Sequence, residues 1–185
     1  EGGEEGGAGI ADSYVCRVCK CHEGGGSEGE GMDGRIVKDA MEEGVVVSVA
    51  AGNDGPDNDG LSGMGSSSLS ITVGATDDKN TIDRDDDTVA SYSSRGPRRD
   101  NGDGNPLNEL KPELSAPGTN IVQAEWYGTS GRCITLLGGS AADYRYTGRG
   151  TGPSYATPTG TGIRSSFRYA PPDLSPVVLK TLLSF

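Results

Sequence analysis

The chain has 185 residues and a mass of 19.0 kDa, which at about 100–200 residues per domain is room for one domain with its own core. Hydrophobic residues make up 32% and 31 glycines add to them, which excludes wholesale disorder, and the lack of a Gly-X-Y period excludes collagen. Lys and Arg number 16 against 27 Asp and Glu, a net charge of −11 that repels nucleic acid and anionic membranes; no apolar run nears the about 20 residues of a membrane span.

Residues 1–31 are Gly/Glu-rich and irregular, with one short strand predicted in the alternating island from Gly9 to Cys19. Their start has neither a basic n-region nor an apolar h-region, so the chain reads as a mature or internal segment. A helix follows: Asp33 can cap it, Ile36, Val37, Ala40 and Met41 share one face, and Gly44 can close it. Val45 to Ala50 is a continuous, mostly β-branched run, the mark of a strand buried on both faces of a parallel sheet. A helix feeding such a strand is the α/β pattern. Further strands are expected at Ile71 to Gly74, Thr88 to Tyr92 and Ile121 to Ala124, separated by Gly, Pro and Asp turns. A helix is expected from Ser154 into Phe167, although Gly160 and Gly162 each cost about 1 kcal/mol in a helix interior. A last helix starts at the cap Ser175 with Pro176 in its first turn, and Val177, Val178, Thr181 and Leu182 give it a packing stripe.

Two segments carry chemistry. Val45 to Ala50 runs into Ala51-Gly52-Asn53, which puts an amide side chain at the carboxyl edge of the sheet, where open α/β folds bind ligands. In Gly152-Pro153-Ser154-Tyr155-Ala156-Thr157-Pro158 a serine enters a helix from a turn, where a nucleophile has its hydroxyl exposed and the helix N-terminus aimed at developing negative charge. Read alone, the first is a turn asparagine and the second an N-cap.

Together with two further blocks they resemble the subtilisin-like serine peptidases, the subtilases. Ala50-Ala51-Gly52-Asn53-Asp54-Gly55-Pro56 matches the oxyanion block. Ile71-Thr72-Val73-Gly74-Ala75 and Ser91-Tyr92-Ser93-Ser94-Arg95-Gly96-Pro97 match the middle of the domain, and Leu110-Lys111-Pro112-Glu113-Leu114-Ser115-Ala116-Pro117-Gly118 follows. Gly152 to Pro158 stands where the family has Gly-Thr-Ser-Met-Ala-Thr-Pro. The blocks keep the family's order from about residue 33 to residue 183. The resemblance implies an α/β fold of three layers, a mostly parallel twisted sheet flanked by helices. Residues 1–185 would form a single such domain lacking its N-terminal part. It implies a secreted, extracellular serine endopeptidase that hydrolyses an extended polypeptide through an acyl-enzyme. Ser154 would be the nucleophile and Asn53 the oxyanion amide, with Ala50, Ala51 and Gly52 along the substrate cleft.

The family's triad runs Asp, His, Ser. The one histidine here, His22, lies in Cys21-His22-Glu23 and not in a His-Gly-Thr-His helix, and Asp12 is too near it for the intervening strands. Aligning the Gly9 island with the strand that follows the catalytic-histidine helix puts Asp and His upstream of Glu1. A companion N-terminal chain or propeptide would then complete the enzyme. The alternative function is a noncatalytic subtilase-like structural or assembly module. Gly128-Thr129-Ser130 lacks the Ala-Thr-Pro that follows a subtilase nucleophile, so Ser130 reads as a loop residue.

Two acidic loops are calcium candidates: Asp77, Asp78, Asp83, Asp85, Asp86 and Asp87, and, more favoured, Asp100, Asp103, Asn105 and Glu109. No organic cofactor is implied. Cys16, Cys19, Cys21 and Cys133 leave open a zinc site with His22, disulfides in one of three pairings, or buried thiols.

Overall fold

The computed structural model describes residues 14–16, 32–57, 60, 61, 63–99, 102, 104–123, 148–169 and 175–183. Asp100, Asp103, Ser130, Cys133 and, apart from Tyr14–Cys16, all of residues 1–31, with Cys19, Cys21 and His22 among them, lie outside the described residues. The elements in chain order are β1 (Tyr14–Cys16), α1 (Met32–Glu42), β2 (Val47–Ala50), β3 (Ile71–Asp77), β4 (Thr88–Val89), β5 (Leu114–Pro117), β6 (Ile121–Gln123), β7 (Gly148–Gly150), α2 (Pro153–Tyr169) and α3 (Pro176–Leu183).

Strands β1, β2, β3 and β5 lie side by side, all parallel. Val73 pairs with Ala50 on one side and with Leu114 on the other. Thr76 pairs with Pro117 of β5 and, antiparallel, with Val89 of β4. β2 and β4 therefore follow one another along the same edge of β3. β6 and β7 form a separate antiparallel pair.

The register places two cores on opposite faces of the sheet. Val49 stands beside Thr72, and Val47 and Val49 pack with Val37 and Met41 of α1. Ser48 and Ala50 stand beside Ile71 and Val73 on the other face, where Ile71, Val73, Ala75 and Ala116 pack with Ala156 of α2. Partners across a parallel ladder share a face and successive residues alternate. One strand can thus be apolar on both sides, as the run before Ala51 requires. The result is a sheet between helices, the α/β class expected, here with one antiparallel addition.

Helix α1 ends as Gly44 permits. At φ +82°, Gly44 donates to Met41 O at 3.1 Å and Val45 donates to Ala40 O at 2.9 Å, the paired bonds of a Schellman turn. Three expectations are corrected. Ile36 is 55% exposed and leaves the core to Val37, Met41 and the half-buried Ala40. In α3 the stripe of Val177, Val178 and Leu182 is exposed, and Leu183 packs against the core instead. The strand expected from Thr88 to Tyr92 stops at Val89, because Ser93 N–H turns back to Ala90 O at 3.0 Å.

Candidate active site

The carboxyl ends of β2 and β5 lie at one edge of the sheet, and each delivers half of the site. After Ala50, Ala51 N–H makes one more ladder bond to Val73 O at 2.9 Å. The chain then leaves the sheet through Gly52 at φ +115°, a conformation costly for any side-chain-bearing residue. A Cβ on Gly52 would stand 2.7 Å from Ser94 Oγ. Ala50 and Ala51 are buried, Gly52 is half-buried, and Asn53 is exposed. Of the residues expected along the cleft, Gly52 is the one that reaches solvent, and Asn53 follows it.

From β5 the chain passes to Gly118, whose N–H continues the sheet to Thr76 O at 3.0 Å and whose carbonyl accepts Gly152 N–H at 2.8 Å. That bond docks the start of α2 on the same edge. Gly152 at φ +147° makes the corner, Pro153 is buried, and Ser154 emerges exposed in the first turn of the helix. First-turn N–H groups have no intrahelical acceptor and carry the positive end of the helix dipole. Thr157 Oγ and Thr161 Oγ fold back on the carbonyls of Pro153 and Thr157, at 2.8 and 2.9 Å. Gly160 lets α2 lie close to the sheet, since a Cβ there would meet Val73 and Leu114 side chains at 3.2 Å.

The two halves meet at Gly152. The point where a Cβ on Gly152 would lie is 3.4 Å from Asn53 Oδ1 and 4.0 Å from Ser154 N. An amide side chain and a helix-start N–H, from residues about a hundred positions apart, thus converge around a glycine with no side chain to fill the space. Oxyanion stabilisation asks for fixed donors around one small region beside an exposed hydroxyl; the donors at hand here are the Asn53 NH2, bonded to the same carbon as Oδ1, and the Ser154 N–H.

The sequence left unnoticed what holds these halves in place. Ser94, Tyr92 and Gly118 all touch the site's scaffold. Asp54 N–H donates to Ser94 Oγ at 3.0 Å, and Tyr92 OH donates to Gly118 O at 2.9 Å. The signal available was the Ser91 to Pro97 block, which marks the segment without saying what it bonds.

The acidic loops behave differently. Asp77 pairs with Lys79 at 2.7 Å, and hydrogen bonds from Lys79 hold its half-buried carboxyl below the usual range. Asp78, Asp83 and Asp86 accept hydrogen bonds from Asn80 N–H, Asp85 N–H and Thr81 Oγ1 within the same loop. In the second loop Asn105 Oδ1 accepts Leu107 N–H at 3.2 Å, and Glu109 turns inward to Arg98 at 3.4 Å. Among the described residues no three His, Cys, Asp or Glu side chains converge as a metal site would require.

The family model described as the subtilase family matches residues 15–184. The serine protease AprX of Bacillus subtilis (strain 168) is 41% identical over 149 residues, which are 80% of this chain and 31% of that protein. Among solved structures, Sphericase superposes with a TM-score of 0.63 at 27% identity, covering 86% of this chain and 45% of its own. The S41 psychrophilic protease gives 0.60 at 28% identity, covering 88% and 46%. The chain therefore spans less than half the length of each of these relatives.

Proposed function

Because the chain belongs to the subtilase family, we propose that it is the nucleophile-bearing part of a serine endopeptidase that cleaves extended polypeptides. The observation that carries this reading is the meeting of the Asn53 amide and Ser154 N around Gly152, next to the exposed Ser154. In the proposed reaction Ser154 Oγ attacks the scissile carbonyl carbon and its proton passes to a general base. The carbonyl oxygen becomes an oxyanion held by the Asn53 amide and Ser154 N–H. The tetrahedral adduct collapses, the C–N bond breaks, and the leaving amine takes up the proton from the base. Water then hydrolyses the Ser154 ester by the same steps. Ala50, Ala51 and Gly52 would shape the cleft through backbone that β2 holds rigid. The base and its carboxylate partner are assigned to a histidine and an aspartate of a preceding segment, companion chain or propeptide-processed partner. Extracellular action is part of the same reading, supported by the acidic composition.

A fluorophosphonate probe tests the proposal in the full protein that carries this chain. Labelling at Ser154, absent in Ser154→Ala, is the expected result. An intact protein with an unlabelled Ser154 would instead establish the noncatalytic structural or assembly module. A structural calcium at the 100–109 loop belongs to the reading as well: added calcium is expected to raise the melting temperature and EDTA to reverse the rise, and equal melting in both removes the ion.

A further inference from the structure

Asn53 makes its contribution through a flexible side chain on an exposed loop, so something must hold its backbone still. The two peptide units flanking its Cα are both held by one residue about forty positions later. The carbonyl of Gly52, in the first unit, accepts Ser94 N–H at 3.0 Å. The N–H of Asp54, in the second, donates to Ser94 Oγ at 3.0 Å. With both units fixed, the φ and ψ of Asn53 are fixed too. Ser94 itself is 1% exposed and fits against Gly52, where any Cβ would collide with its hydroxyl.

The support under Ser94 is the sheet. Its neighbour Ser93 accepts Ala75 N–H of β3 at Oγ, at 3.0 Å. Tyr92 accepts Gly55 N–H at its carbonyl, at 3.1 Å, and donates its phenol to Gly118 O, the same carbonyl that receives Gly152 N–H. Residues 92–94 thus bond to the Asn53 loop on one side and to the anchor of the Ser154 loop on the other.

We propose that Ser94 is a positioning residue for the reaction: its buried hydroxyl and N–H clamp the peptide units on either side of Asn53 and aim that amide at the oxyanion beside Ser154. The proposal rests on the oxyanion reading of Asn53. Removing the Ser94 hydroxyl frees the 53–54 peptide unit while leaving Asn53 and Ser154 chemically intact. The loss should fall on kcat, because an amide aimed at the transition state adds little to ground-state binding.

The test is a double-mutant cycle in the full protein, with active sites titrated and kcat and KM measured for the parent, Asn53→Ala, Ser94→Ala and the double variant. Ser94→Ala is expected to lower kcat by about tenfold, less than the about 10²–10³-fold loss of the amide itself, with KM unchanged within about twofold. In the Asn53→Ala background it should lower kcat no further. A Ser94→Ala effect that multiplies with that of Asn53→Ala, or falls on KM alone, overturns the positioning role and leaves the oxyanion reading standing. An Asn53→Ala variant with parental kcat overturns both. Ser94→Cys keeps the volume but offers only a weak acceptor, and the same outcomes apply to it should Ser94→Ala fail to fold.

Discussion

In the proposed reaction the chemistry at Asn53 and Ser154 depends on single atoms whose positions are set by residues without functional groups. Gly152 has no Cβ between the Asn53 amide and Ser154 N, and Gly52 turns the chain out of the sheet at φ +115°. Asn53→Ala removes a donor and nothing from the core, since Asn53 is exposed. It is expected to cost about 10²–10³ in kcat with an unchanged melting temperature, a magnitude that comes from a subtilisin itself. The blocks that hold Asn53 and Ser154 can be read in the sequence because they are local: seven contiguous residues make up each. The role of Ser94 cannot, because it is two hydrogen bonds to residues about forty positions away. Nor does the sequence show that Glu109, read with its acidic neighbours as part of a calcium loop, also faces Arg98 across the fold.

Among the elements, α2 does the most against its own propensity. It carries Pro158, Gly160 and Gly162 within 17 residues, yet the helix holds. Pro158 lies in the first two turns, where only the carbonyl of Ser154 loses its helical partner. Gly160 is where the helix crosses closest to β3 and β5. Gly162 is exposed, and nothing lies within 4 Å of where its Cβ would be. Gly162→Ala is therefore expected to stabilise the protein by about 1 kcal/mol, read as an upward shift in the denaturant midpoint without loss of activity. The existence of α1, β2, β3 and α2 was readable from periodicity and punctuation. β4 was overestimated, and β5 was unassigned because Leu114-Ser115-Ala116-Pro117 is too short and too mixed to show a pattern. β5 is a strand because the open edge of β3 accepts it.

For the molecule as a whole, a buried charge cluster joins the parts that the site does not. Glu113, just before β5, accepts Lys111 Nζ at 2.6 Å, Lys180 Nζ of α3 at 2.8 Å and Thr72 N–H of β3 at 2.8 Å. Lys111 also donates to Ser70 O at 2.9 Å and Thr72 Oγ1 at 3.2 Å, and Lys180 donates to Ser68 O. The 68–72 segment, β5 and the C-terminal helix are thereby tied at one corner. Burial pushes the Lys111 amine down to about 7 against the pull of Glu113, with the Lys180 charge adding to the drop. Between pH 7 and the ordinary lysine value of 10.5, the unfolded chain holds this proton more firmly than the folded one. Stability from this group therefore rises with pH across that window, and its burial cost is fully present below about 7. Unfolding free energy measured from pH 7 to 10 should rise more steeply in the parent than in Lys111→Met, and parallel profiles would refute the shift.

The sequence by itself determined the α/β class, the two chemical blocks and the family, because each is written in contiguous residues: a β-branched run, a Gly-flanked asparagine, a serine opening a helix. Only the tertiary structure decided that the carboxyl ends of β2 and β5 share one edge and that Asn53 meets Ser154 around Gly152. It also decided that Ser94 clamps the peptide units beside Asn53, and that Glu109 and Lys111 lie inside. The physical reason is range. Backbone conformation and periodic burial act over a few residues, whereas parallel strand pairing and buried polar contacts join residues from 23 apart, as Ser48 with Ile71, to 112 apart, as Lys180 with Ser68, which no local pattern encodes.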